Sequence, residues 1–173
     1  MTSGQRLRQI ANALNASTLL GLLLAWCART DVRTGPRGLL VATGWRWRLP
    51  FAQAFTVGNV VLFRAEAPEA LSNPVLLSHE ERHSSQYAWC CGLPFLPLYF
   101  IAAGWSQLRT GNPGSANFFE RLAGLEAGGY VDMPTRETDQ HRTDQHHTDQ
   151  RRTGKRRRDK RRTGNPAHDG IEA

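Results

Sequence analysis

The candidate chemistry of this chain centres on residues 73–92, which read NPVLLSHEERHSSQYAWCCG. An Asn-Pro pair at the start of this stretch is typical of a helix N-cap and first turn, and a glycine soon followed by proline is typical of a helix end. The sequence therefore predicts a helix over residues 74–91. At 100° per residue, His79 and His83 share its apolar stripe, while most other polar side chains face the opposite side.

The two histidines have the H-E-x-x-H spacing, with Glu80 following the first of them. One helical turn at this spacing offers two neutral imidazoles to a zinc ion, and Glu80 can accept a proton from the attacking water as general base. The alternative is an ordinary helix whose two histidines are partly buried and hydrogen-bonded to backbone groups. The sequence favours the metal-binding interpretation, with His79 and His83 as ligands.

A catalytic zinc ion needs a third protein ligand, and residues 1–133 contain no further histidine, so that ligand would be a carboxylate. Asp132 follows a glycine pair, and Glu126 lies on a different helical face from Glu120. Glu120 shares a stripe with small residues that allow close helix approach, so it is the predicted ligand. The open alternative is a capping box from Asn117 to Glu120, in which the carboxylate only satisfies its own helix start.

The flanking segments predict an α+β domain with an N-terminal helix, a short sheet and further helices around the metal site. The elements follow from the spacing of apolar residues, from the alternation of apolar and charged residues, and from the positions of glycine and proline. The predicted elements are helix 5–28, basic loop 30–38, strands 38–42 and 45–49, a strand or hairpin 54–64 with a turn or bulge at Gly58-Asn59, core helix 93–105, loop 109–116 and helix 117–127.

Composition divides the chain into a domain over residues 1–133 and a tail over residues 134–173. The net charge of +7 is shared between them, as +3 from 11 basic and 8 acidic residues in the domain and +4 from 11 basic and 7 acidic residues in the tail. The tail has no aromatic residue, one large aliphatic residue (Ile171) and a basic five-residue repeat. It cannot bury apolar surface, so it is predicted to be disordered.

The basic run Arg151–Arg162 raises the possibility of nucleic-acid binding. Its aspartates, its regular repeat and its lack of aromatic residues favour a solvated tail, so nucleic acid is not an expected partner. His141, His146 and His147 could bind metal adventitiously.

The expected location is the cytoplasm, because three unpaired cysteines suggest buried free thiols in a reducing compartment. Arg6 and Arg8 precede an uncharged run, so export by a signal peptide is an alternative. A second alternative is peripheral membrane association through residues 10–28 and 93–105, which is not favoured.

Residues 54–86 contain a strand with a T-x-G motif followed by L-L-x-H-E-x-x-H-x-x-Q. This resembles the zincin-like metallopeptidase domain found near extracellular contractile injection systems. The resemblance implies a gluzincin-type arrangement with zinc on His79 and His83 and Glu80 as general base, although this domain is unusually small. A peptide or protein is the expected class of substrate, but the resemblance itself does not supply it. Glu81-Arg82 replaces the small or apolar pair that is more usual there. The alternative function is a catalytically inactive zincin fold that serves as a structural or interaction module.

Overall fold

The computed structural model describes residues 1–50 and 52–134, and Met1–Met133 form one compact unit. Within these residues, six α-helices and one four-stranded sheet make a mixed α+β fold, which confirms the predicted α+β class. The tail predicted to be disordered, beyond Pro134, lies outside the described residues.

The N-terminal segment forms two helices, α1 (Ser3–Leu14) and α2 (Ser17–Cys27), so the prediction of one helix over 5–28 is wrong. The two axes are bent by 73°. The break falls at Ala16, whose φ of 62° is left-handed. Asn15 stabilises the bend, because its side-chain oxygen accepts hydrogen bonds from the backbone N–H and the hydroxyl of the first residue of α2.

The sheet has four short strands in the order β1-β2-β4-β3, with β2 and β4 parallel and the two outer pairs antiparallel. The strands are β1 (Asp31–Thr34), β2 (Leu40–Thr43), β3 (Ala54–Val57) and β4 (Val60–Phe63). Gly58-Asn59 is a tight turn between β3 and β4 rather than a bulge. β1 occupies part of the segment predicted as a basic loop, because it adds to the free edge of β2 although all four of its residues are exposed.

The predicted strand over residues 45–49 is wrong, because the chain bends there. Trp45 is buried with its ring 4.9 Å from that of Phe55, and its indole N–H donates to the carbonyl of Leu49 at 3.2 Å. The ring of Trp47 lies 5.0 Å from that of Trp45. The alternating tryptophans therefore pack against each other around a bend instead of sharing one strand face.

The predicted H-E-x-x-H helix is confirmed as α4 (Pro74–Trp89), which follows the short helix α3 (Ala67–Ser72). The side chain of Asn73 caps α4 by accepting a hydrogen bond from the N–H of Leu76 at 3.0 Å. α4 packs against β3, and both histidines point into the domain.

The C-terminal part of the domain contains α5 (Phe95–Thr110) and α6 (Phe118–Ala123), followed by a 3₁₀ turn at Glu126–Gly128. The last helix is shorter than the predicted 117–127, because the chain leaves the helix at Gly124, whose φ is 93°. The prediction of a core helix over 93–105 is wrong as to burial: α5 forms, but most of its large apolar side chains are exposed.

No single helix in residues 1–50 and 52–134 is long and apolar enough to cross a membrane. The bent pair α1 and α2 passes that test jointly, on length and composition alone.

Candidate metal centre

The two histidines of α4 face each other through their Nε2 atoms, 3.0 Å apart, and both side chains are almost fully buried. Nδ1 of His79 lies 3.1 Å from the carbonyl oxygen of Ala123 and 3.0 Å from that of Gly124. A carbonyl can only accept, so Nδ1 of His79 carries a proton, and in the neutral imidazole Nε2 then presents a lone pair.

The tautomer of His83 is fixed in the same way by Gln86. Nδ1 of His83 lies 2.8 Å from the amide oxygen of Gln86, whose amide nitrogen donates to the carbonyl of Phe119 at 2.9 Å. The proton of His83 is therefore also on Nδ1. Gln86 was given no role from sequence, although it lies three residues after His83 on the same stripe.

Glu120 closes the third side of the site from α6. Its Oε2 atom lies 3.4 Å from Nε2 of His79 and 3.6 Å from Nε2 of His83, and it has no hydrogen-bond partner. Its Oε1 atom accepts a hydrogen bond from the hydroxyl of Tyr99. A buried carboxylate oxygen without a donor is costly, so this arrangement calls for a positive group among the three atoms.

The three atoms have the spacing that a tetrahedral metal ion requires. Bond lengths of about 2.0–2.1 Å at a tetrahedral zinc ion place ligand atoms about 3.4 Å apart. The separations here are 3.0, 3.4 and 3.6 Å. Gly128 borders the same space, because a Cβ atom on it would lie 2.7 Å from Nε2 of His79. His79, His83 and Glu120 could therefore hold a metal ion.

The capping alternative for Glu120 receives no support from its contacts. Asn117 caps α6 alone, since its side-chain oxygen accepts from the N–H of Phe119 at 3.0 Å. The N–H of Asn117 donates to the carbonyl of Gly114 at 2.9 Å, so the reciprocal bond of a capping box is not formed. The rejected candidate Asp132 is exposed and pairs with Arg121.

The charges of the site are strongly coupled. Burial alone would raise the pKa of Glu120, but the adjacent imidazoles of His79 and His83 outweigh it and lower that pKa to about 2. Burial would lower the pKa of His83, but the negative charges of the adjacent Glu120 and Glu80 raise it overall. Glu120 is therefore the anionic member of the group.

Glu80 lies beside the three candidate ligands but does not join them. It is 3% exposed, and its Oε2 atom accepts a hydrogen bond from the hydroxyl of Thr56 on β3 at 2.7 Å. Burial raises the pKa of Glu80 above its ordinary value. Thr56 belongs to the T-x-G motif, yet sequence reasoning gave it no role in orienting this carboxylate.

Glu81 and Arg82, the two residues between Glu80 and His83 in the sequence, have a structural role. Glu81 points away from the histidines and pairs with Arg8 of α1 at 2.7 Å and Arg37 at 2.6 Å. Burial would raise the pKa of Glu81, but hydrogen bonds from these arginines outweigh it and lower that pKa. Arg82 donates to the carbonyl of Ala123 at 2.6 Å, the same carbonyl that lies beside Nδ1 of His79. The pair therefore anchors α4 to its neighbours.

A cavity of about 620 Å³ opens beside the site. His79, Glu80, His83 and Glu120 all contribute to its lining. Its other walls are mainly apolar and aromatic, and include Phe55, Leu76, Leu96, Tyr99, Phe100 and Tyr130. The candidate ligands are thus reachable by a molecule of moderate size.

Comparison of the chain with models of protein families, with curated proteins and with solved structures finds no match. The resemblance of residues 54–86 to a zincin-like domain stays a prediction, so the function is inferred from the geometry of the site.

Proposed function

We propose that this chain is a zinc-dependent, metallopeptidase-like protein of the zincin type. The observation that carries the proposal is the pair of Nε2 lone pairs facing each other at 3.0 Å, with an unpartnered carboxylate oxygen of Glu120 beside both. Two imidazoles and one carboxylate form a donor set of catalytic zinc sites. When bound in such a site, zinc acts as a Lewis acid that polarises a carbonyl group and acidifies water.

Glu80 is the residue placed to move a proton. Its Oε2 atom is held by Thr56, so the proton would be accepted at Oε1. Because burial raises its pKa, this carboxylate is more basic than an exposed glutamate, as a general base acting near neutral pH requires.

An extended peptide could bind along β3, which is the outer strand of the described sheet. β3 pairs with β4 on one side only, and Ala54, Phe55 and Thr56 of this strand line the cavity. A free strand edge offers backbone hydrogen bonds to a substrate in extended conformation. The aromatic walls favour apolar side chains in the substrate.

The first test is zinc content. The full chain, purified without added metal, should contain about one more zinc ion than the His79→Ala variant. Substitution of the four tail histidines His141, His146, His147 and His168 by alanine is the control and should leave that difference unchanged. Equal zinc content in the wild type and in the His79→Ala variant would contradict the proposed zinc site.

The second test is hydrolysis of a peptide library. Glu80→Gln should keep the bound zinc and lose hydrolysis, because the amide keeps the volume of the carboxylate but cannot accept the proton. Zinc binding without hydrolysis by the wild type would instead support a non-catalytic module built on the same site.

A further inference from the structure

α5 is apolar around most of its circumference, yet it is poorly covered by the rest of the domain. Of its 16 residues only Phe95 and Ser106 are buried. Its large exposed side chains are Leu98, Phe100, Ile101, Trp105 and Leu108, which expose between 47% and 71% of their surface. A helix that is hydrophobic all round is normally buried, so the exposed apolar surface of α5 is expected to contact another molecule or a lipid surface.

The five large side chains form a broad face on α5, with Gln107 at one edge and Arg109 at the other. At 100° per residue, the five large side chains span an arc of about 160°, and the other residues within that arc are Pro97 and Gly104. Contact with a single partner helix, as in a coiled coil, needs only a narrow apolar stripe, in which two of every seven residues are apolar. The broad arc suits a lipid surface better than a single partner helix.

The segment that contains α5 has no acidic residue. Residues 83–119 contain no aspartate or glutamate, and Arg109 is their one arginine or lysine. The guanidinium of Arg109 lies 5.1 Å from the ring centre of Trp105. Basic and aromatic residues at the edge of an apolar face are typical of contact with anionic lipid headgroups.

A second apolar helix starts from the same corner of the domain. The side chain of Asn15, just before α2, lies against Gly92, just before α5. Residues 1–30 contain no acidic residue, and α2 exposes Leu23 and Trp26. The absence of acidic groups therefore extends to both helices that leave this corner.

We propose that the exposed face of α5 (Leu98, Phe100, Ile101, Trp105 and Leu108) is a membrane-contact surface that inserts into the interface of an anionic lipid bilayer. At 1.5 Å per residue α5 is about 24 Å long, shorter than the hydrocarbon core of about 30 Å, so it lies in the interface and does not cross. This role does not require a bound metal ion, although Phe100 also lines the cavity beside the candidate metal site.

The test is sedimentation of the full chain with vesicles of phosphatidylcholine and phosphatidylglycerol. The chain should bind, and binding should persist in 0.5 M NaCl, because apolar insertion is insensitive to salt whereas attraction of the basic tail is screened. Ile101→Gln combined with Leu108→Gln should weaken the partitioning at least about tenfold. Val75→Gln combined with Val131→Gln is the matched control, with exposures of 61% and 66%, and should bind like the wild type.

A measurement that does not depend on the double variant uses brominated lipid. Such vesicles should quench the tryptophan fluorescence of the wild type, and Trp105→Phe should remove part of the quenching. The proposal is overturned if binding disappears in 0.5 M NaCl, or if a folded Ile101→Gln, Leu108→Gln variant binds like the wild type. It is also overturned if the wild type is a dimer that this variant dissociates, since a second copy would then cover α5.

Discussion

Replacing Glu120 by glutamine removes the negative charge of the candidate metal site while keeping the size of the side chain. The amide oxygen of the new residue can still accept the hydrogen bond from Tyr99. The group that faces Nε2 of His79 at 3.4 Å and of His83 at 3.6 Å would then be an amide instead of a carboxylate. We expect the variant to fold and to bind zinc much more weakly.

The size of the effect follows from the loss of one ligand in three. Loss of a residue that only supports a ligand typically weakens metal affinity 10- to 100-fold, so loss of Glu120 itself should cost at least about 100-fold, or about 2.7 kcal/mol. Zinc at about 1,000 times its dissociation constant stabilises the wild type by about 4 kcal/mol. At about 4 °C per kcal/mol for a domain of this size, Glu120→Gln should lower the zinc-induced gain in Tm by about 10 °C.

The assay is thermal unfolding of both proteins in EDTA and in excess zinc. Asn117→Ala is the matched control on α6, because it removes the cap hydrogen bond to Phe119. That control should lose about 1 kcal/mol of stability under both conditions and keep the full zinc-induced gain in Tm. If Glu120→Gln also keeps the full gain, Glu120 is not a metal ligand and the three-ligand site is refuted.

Two further changes test the surroundings of the site. Gly128→Ala should weaken zinc binding about tenfold or more, because the added Cβ would lie 2.7 Å from Nε2 of His79, whereas Gly104→Ala, with no atom within 4 Å, should leave affinity unchanged in a chelator competition. The pKa of Glu81 is lowered from an ordinary 4.5, so the stability from its pairing with Arg8 is complete above about pH 4.5 and is lost as the pH falls through the lowered pKa. The Arg8→Ala variant should therefore be less stable than the wild type at pH 7 and should lose less stability on acidification. Urea titrations at several pH values measure this, and an equally large loss of unfolding free energy at low pH in both proteins would contradict it.

The helices and strands could be predicted where residues close together in the sequence determine the local structure. The N-cap Asn73 and the stripe of α4 are set by residues within a few positions, so the helix and its inward histidines were predicted correctly. The break at Ala16 was missed, because the uninterrupted run of uncharged residues gave no sign that the backbone becomes left-handed there. The exposure of α5 was missed as well, since apolar composition alone does not show whether a helix is covered.

The sequence by itself determined that two imidazoles share one helical face with a glutamate between them, because a spacing of four residues fixes their positions within one turn. It could not decide between the cap and the ligand interpretation of Glu120, since both fit the same local pattern. Only the packing of α6 against α4 brings the oxygen of Glu120 within 3.4 Å of His79, 41 positions earlier in the chain. The same packing aims the backbone carbonyl of Ala123 at Nδ1 of His79, which fixes the tautomer and leaves Nε2 free to bind a metal ion. Contacts between distant segments depend on how the whole core packs, and no short pattern in the sequence encodes them.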